Sequence, residues 1–391
     1  MIYLDNAATT SMHPEVVSAV QDSFVKDYAN SGAVYRLGIK SKEQIDGAAN
    51  EISELLKLPD THRVIFTSGG SESNNLFIKG IFPKGKKTAC LGLEHPSVLE
   101  CIKALEQEGG ETLTLLECHN NGRLDVKEIP NIKDARLLCL SHVNHELGVI
   151  NDPPKIGKAL KSVSARTRLF FDGVQAPGKT SLASIDWESM AGYSLSAHKF
   201  GGPKGIGLLI YNSNLDLQAQ IHGGGQQYGV RSGTLPAPLI LGLRRALRIT
   251  LNDSEETIQK YLKLRRLLID GLRSLEDENP NLRLIFNSSL SDDTGSQSPA
   301  IINFSFPPVE GEPLLHHLAE QEIYVGLGSA CSAKSKEPSN ILMGIGRSKQ
   351  EALCSLRISF GPQNTKEDVE GFVDAFGPAY RKLYPAYADK K

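Results

Sequence analysis

From about Arg63 to Tyr211 the chain alternates short apolar runs with stretches of helical character. Val64–Thr67, Thr88–Leu93, Leu113–Leu116, Leu137–Leu140, Leu169–Phe171 and Gly207–Tyr211 read as strands, with helices over Glu72–Lys79 and Ser97–Glu108. That alternation predicts an α/β unit, a mostly parallel central sheet with helices on its faces. From about Leu239 the pattern changes to long helices, where Ile258, Tyr261, Leu262, Leu268, Leu272 and Leu275 form one apolar stripe. The polar stretch Asn287–Ser298 reads as a loop, and Ile301–Phe304 as a strand followed by helix, strand and helix. The expected division is a large domain over 14–255 and a smaller α+β domain built from 1–13 and 256–391.

Bulk properties narrow the classes. The chain has 391 residues, 40% hydrophobic, with a net charge of −2 and its Lys and Arg scattered. No nucleic-acid face, polybasic membrane patch, secretory leader or bilayer-spanning run is expected, which points to the cytoplasm. The six cysteines are far apart and form no CxxC pair, which argues against a zinc ribbon or a disulfide framework. Five of them read as core fillers, and Cys331 stands apart.

Three segments place chemistry at strand ends, where open parallel sheets bind ligands. Thr67-Ser68-Gly69-Gly70-Ser71-Glu72 turns from strand to helix, with Ser71 as a helix cap and backbone N–H groups suited to a phosphate. It also reads as a plain βα loop. Phe170-Phe171-Asp172-Gly173-Val174-Gln175 ends an apolar strand on a carboxylate, which is costly to bury without a partner. Asp172 suits a protonated ring nitrogen and equally a cap on the next turn. Ser196-Ala197-His198-Lys199 leads into a Gly-rich turn, where a lysine can form a Schiff base. Alone, it reads as a surface lysine. In this order the three describe a pyridoxal phosphate site.

On wider motifs the chain resembles the cysteine desulfurases, NifS-like enzymes of the class V aminotransferase group with the pyridoxal-phosphate-dependent transferase fold type I. The motifs include Tyr3–Thr10, Phe66–Leu76, Glu94-His95, His142–Gly148, His222–Pro236, Gly328-Ser329-Ala330-Cys331 and Leu356–Gly361. The resemblance implies that Lys199 carries pyridoxal 5'-phosphate and that Asp172 pairs with the ring nitrogen. It implies Gln175 at the ring hydroxyl, with Gly70, Ser71, Ser196 and His198 at the phosphate. Thr234 would reach the phosphate of a neighbouring subunit, hence a homodimer. His95 would stack on the ring and help move protons, and Arg357 would pair with the substrate carboxylate.

The implied reaction removes sulfur from L-cysteine, leaving L-alanine and a persulfide on Cys331. The sulfur then passes to an acceptor protein in iron–sulfur cluster or thiolation pathways. No metal site is expected, with Cys331 as a candidate transient cluster ligand. Selenocysteine lysis, transamination and a catalytically weakened partner protein are the alternatives. Two departures stand out. His145 occupies the second asparagine position of the HVNNE-like segment, where it could still donate to the ring oxygen. The segment Ala29–Gly38 lacks the usual Pro and His at the site mouth.

Overall fold

The computed structural model describes residues 1–81, 87–109, 113–328 and 337–388. After a short strand β1 (Ile2–Leu4), helices α1 (Pro14–Lys26) and α2 (Arg36–Leu56) lead into β2 (His62–Thr67) and α3 (Gly70–Gly80). The alternation continues with β3 (Thr88–Leu91), α4 (Pro96–Gly109), β4 (Leu113–Leu116), β5 (Leu137–Ser141), α5 (Pro153–Val163), β6 (Arg168–Asp172), β7 (Gly192–Ser196) and β8 (Gly207–Asn212). Long helices α6 (Ala237–Asn252) and α7 (Ser254–Glu278) follow. The remainder comprises β9 (Ile285–Phe286), β10 (Ile301–Ser305), α8 (Gly311–Ala319), β11 (Ile323–Val325), α9 (Asn340–Gly344), α10 (Lys349–Leu353), β12 (Ser355–Ser359), α11 (Lys366–Leu383) and α12 (Pro385–Ala388).

Strands β2 to β8 form one seven-stranded sheet in the order β2-β8-β7-β6-β5-β3-β4. It is parallel throughout except for β8, which runs antiparallel to both β2 and β7. Residues in β5 and β7 are buried at every position, as expected of strands covered on both faces. Helix α3 packs on one face, where Phe77 stacks on Phe170 with ring centroids 4.6 Å apart. A three-stranded antiparallel sheet, β12-β10-β9, and the parallel pair β1-β11 lie outside this unit. The N-terminal strand therefore pairs with a strand more than 300 residues later, Ile2 with Ile323.

This arrangement gathers the turns after β2, β5, β6 and β7 at one end of the sheet. Two glycines permit the close approach. A Cβ on Gly207, at the start of β8, would lie 2.6 Å from the Gly69 Cα. A Cβ on Gly173 would lie 1.9 Å from the Tyr193 ring, so only glycine lets the β6 turn cross β7.

Candidate active site

A cavity of about 310 Å³ opens where these turns meet. Lys199 enters it from a single 3-10 turn, Ala197–Lys199, directly after β7. Its Nζ donates to the carbonyl oxygens of Ala7 and Ala8 at 2.7 and 2.8 Å, so the N-terminal segment roofs the amine. Gln175 anchors the same segment, donating from Nε2 to the Ala7 carbonyl at 2.8 Å, while its Oε1 is buried without a partner among the described residues. The Gln175 amide thus ties the N-terminal segment to the turn after β6.

Asp172 sits at the end of β6, 7% exposed. It accepts from Asn74 Nδ2 at 2.8 Å and from the Val174 N–H at 3.0 Å. The carboxylate is therefore oriented by two donors but not neutralised by a cation in either bond. A protonated ring nitrogen is the kind of partner such a group can take.

Helix α3 begins after Gly69 with no side-chain cap, and Gly70 and Ser71 line the cavity. Ser71 lies inside the first turn and does not cap it, because the chain enters the helix two residues earlier than the sequence suggested. An uncapped N-terminus of an 11-residue helix leaves N–H groups for an anion. Ser196 and His198 share the cavity wall, and His198 bonds Thr9 Oγ1 through Nδ1 at 3.1 Å. Desolvation and the nearby Lys199, Lys204 and Lys179 push the His198 imidazole down to about 4. It is neutral near physiological pH and can donate one N–H.

The opposite wall holds Arg357, 2% exposed on β12. Its guanidinium donates to Asp5 Oδ1 at 2.7 Å and to the His145 carbonyl at 2.9 Å, leaving Nε without a partner among the described residues. His145 meets the His95 ring edge-on at 5.2 Å between centroids. Burial, with His95, Arg357 and Lys199 nearby, drives the His145 pKa well below its ordinary value, so the ring is uncharged. Neighbouring Glu146 is buried and pushed up to about 7 by desolvation.

The cavity thus brings together Gly70, Ser71, His95, His145, Asp172, Gln175, Ser196, His198, Lys199 and Arg357. Thr234 is exposed in the connection between β8 and α6 and does not line it. Cys331 lies outside the described residues. Sequence reasoning missed Asn74, Ser97, Glu146, Asp5 and Lys179. Lys179 is 3% exposed and donates to the Lys199 carbonyl at 3.0 Å. Asp5, Asn74 and Glu146 lie inside the quoted motifs and Ser97 bonds His95 two residues away, but the distant contacts of Asp5, Asn74 and Lys179 arise only through the fold. Among the described residues no group of three or more His, Cys, Asp or Glu could hold a metal.

A lysine, a strand-end carboxylate and an uncapped helix on one sheet edge define a fold type I pyridoxal phosphate enzyme. The chain belongs to the class V aminotransferase family, whose profile matches residues 2–372 and whose enzymes depend on that cofactor. Cysteine desulfurase IscS of Vibrio vulnificus strain CMCP6 is 36% identical over 394 residues, covering 98% of this chain and 93% of that protein. Cysteine desulfurase IscS of Klebsiella pneumoniae (strain ATCC 700721 / MGH 78578) is also 36% identical, with the same coverage of both chains. Among solved structures, a NifS-like protein superposes with a TM-score of 0.88 at 26% identity, covering 98% of this chain and all of its own. DndA from Streptomyces lividans gives a TM-score of 0.72 at 29% identity, over 91% of this chain and 99% of its own.

Proposed function

We propose that this chain is a cysteine desulfurase, removing sulfur from L-cysteine to leave L-alanine and a persulfide on Cys331. The observation that carries this reading is the convergence of Lys199, Asp172, His95 and Arg357 on one cavity. Similarity to the IscS proteins over 98% of the chain supports the substrate.

When bound, pyridoxal phosphate supplies an electron sink that stabilises negative charge at the substrate α-carbon. Lys199 would hold it covalently and serve as the base for the α-proton at Nζ. Asp172, oriented by Asn74 and Val174, would keep the ring nitrogen protonated. Gly70, Ser71, Ser196 and neutral His198 would hold the phosphate, with Gln175 and His145 near the ring oxygen. Arg357 would pair with the substrate carboxylate, its angle set by Asp5 and the His145 carbonyl. The Cys331 thiolate would attack the substrate sulfur, forming the S–S bond as the C–S bond breaks.

The division into a large domain (14–255) and a small one (1–13 with 256–391) is part of this reading. Pairing of β1 with β11 supports it. So is a homodimer, in which Thr234 serves the neighbouring subunit. Exposed apolar side chains on α1 and α2 and in the turn between them, among them Phe24, Tyr28, Val34 and Tyr35, support a second copy there. This is also where the Ala29–Gly38 segment departs from the family. We place the enzyme in the cytoplasm, with an iron–sulfur scaffold or thiolation protein as acceptor. No described helix is long and apolar enough to cross a membrane.

The test is incubation with L-cysteine, with alanine, sulfide and the mass of the Cys331 peptide as readouts. The reading expects equal alanine and transferred sulfur, a Cys331 peptide one sulfur atom heavier, and collapse of alanine formation in Cys331→Ser. Alanine formation that survives Cys331→Ser would point to a reaction of the selenocysteine-lyase type, and conversion of L-cysteine to its keto acid without alanine would point to transamination.

A further inference from the structure

Three hydrogen bonds on Asn74 fix the direction of every bond around it. The Ser194 hydroxyl donates to Asn74 Oδ1 at 2.6 Å. Asn74 Nδ2 donates to Asp172 Oδ2 and to Ser97 Oγ, both at 2.8 Å. Rotating the amide by half a turn would set its oxygen against the Asp172 carboxylate, two acceptors facing each other. Asn74 is 0% exposed, so no water relieves such a clash. The amide orientation is therefore determined, and Ser97 Oγ receives a hydrogen from it.

That leaves the Ser97 hydroxyl hydrogen available for His95, and the Ser97 backbone N–H settles the direction. The hydroxyl has one hydrogen, and the Oγ lies 2.8 Å from His95 Nδ1. The Ser97 backbone N–H, which can only donate, also points at Nδ1, at 3.0 Å. Two donors converge on one ring nitrogen, so Nδ1 must carry a lone pair. In the neutral imidazole the hydrogen then resides on Nε2, on the opposite edge of the ring. That edge has no hydrogen-bond partner among the described residues, and the ring lines the active-site cavity.

We propose that Asn74 and Ser97 are positioning residues that hold His95 as the Nε2–H tautomer, presenting a hydrogen-bond donor, not a base, to the bound substrate. Protonating Nδ1 would set its N–H against the Ser97 backbone N–H, which cannot turn to accept, and desolvation also disfavours the cation, against the pull of Asp172. His145, edge-on at 5.2 Å, is itself uncharged and adds no charge to the balance. Nε2 cannot accept a proton while it carries one, and giving up that hydrogen would leave an imidazolate. His95 therefore stabilises negative charge on the substrate, such as that on a cysteine sulfur, without net proton transfer. The α-proton belongs to Lys199 alone. This refines the proton-moving role that the sequence suggests for His95, and its functional meaning rests on the desulfurase reading.

The test is two-bond proton–nitrogen correlation NMR on holoenzyme labelled with [15N]histidine, without L-cysteine. The His95 signals are identified by their loss in His95→Gln. The expected spectrum shows a protonated, pyrrole-type Nε2 and an unprotonated, pyridine-type Nδ1. A protonated Nδ1 at neutral pH, in either the other tautomer or the cation, overturns the proposal. In Ser97→Ala the Nδ1 resonance should move toward the value of an unbonded pyridine-type nitrogen, with kcat/KM for L-cysteine about five-fold lower. Ser97→Thr, which keeps the hydroxyl, should restore both. An Nδ1 resonance unmoved by Ser97→Ala removes Ser97 from the role. Because no substrate is present, the tautomer is read whether or not the chain turns over cysteine. The expected spectrum combined with absent desulfuration would therefore sink the function alone.

Discussion

The two walls of the cavity are built differently. On the Asp172 side, Asn74 spends both amide hydrogens and its oxygen on Asp172, Ser97 and Ser194, and Ser97 passes the order on to His95. On the Arg357 side, Arg357 Nε is buried with no partner among the described residues, and the buried Glu146 carboxyl has Ser339 as its hydrogen-bonding neighbour. An unpaired buried polar group costs about 1–3 kcal/mol, and groups bonded as Asn74 is incur no such cost. The Asn74 network is thus a rigid template made before any ligand arrives, as electrostatic preorganisation requires. The second wall retains unmet bonding capacity at Arg357 Nε. A Cβ on Gly328 would lie 2.2 Å from Glu146 Oε1, so the chain passes directly over this carboxyl at Gly328.

Breaking the template should have the largest effect. Asp172→Ala should lower kcat/KM for L-cysteine about a thousand-fold, measured as alanine formation, because the ring nitrogen loses its buried counter-charge. Thermal stability should change far less, which separates template from scaffold.

Glu146 sharpens the contrast through pH. Its folded pKa of about 7 exceeds the ordinary 4.5, so the unfolded chain releases this proton first as pH rises. Stability from the protonated form is complete below about 4.5 and is lost as pH climbs through about 7. Glu146→Gln should remove that slope and stabilise the protein above neutrality by up to about 3 kcal/mol, read from denaturant midpoints across pH. An unchanged slope would mean that Glu146 is ionised in place.

Arg357→Lys should raise KM for L-cysteine about a hundred-fold with a smaller change in kcat, since an ammonium cannot hold Asp5 and a carboxylate in one plane. The smallest effect is expected from Ser194→Ala, which leaves Asn74 Oδ1 without its donor at a cost of about 1–2 kcal/mol in unfolding free energy. A loss that large, with activity nearly intact, would show that the template has other supports.

Much of the Asp172 side was legible in the chain because it is local. Asp172 and Lys199 each close a short apolar run, and β2, β5, β6 and β8 fall where the hydrophobic pattern puts them, within a residue or two. The antiparallel direction of β8 was not legible, since an apolar run carries no polarity. Nor was the role of Asn74, whose partners lie 23, 98 and 120 residues away. The Arg357 side is less local still, because Asp5 and Arg357 meet across 352 residues. Motif resemblance drew attention to Arg357, but nothing in its neighbourhood showed that Glu146 would be held near neutral. Burial set that, and burial is a property of the packed fold.

The account depends most on the covalent hold of Lys199 on the cofactor, and borohydride reduction of the cofactor-replete enzyme followed by peptide mass mapping tests it directly. The account predicts a single pyridoxyl adduct on the peptide containing Lys199, and none in Lys199→Ala. An unmodified Lys199 peptide, or an adduct on Lys179 in its place, would contradict it.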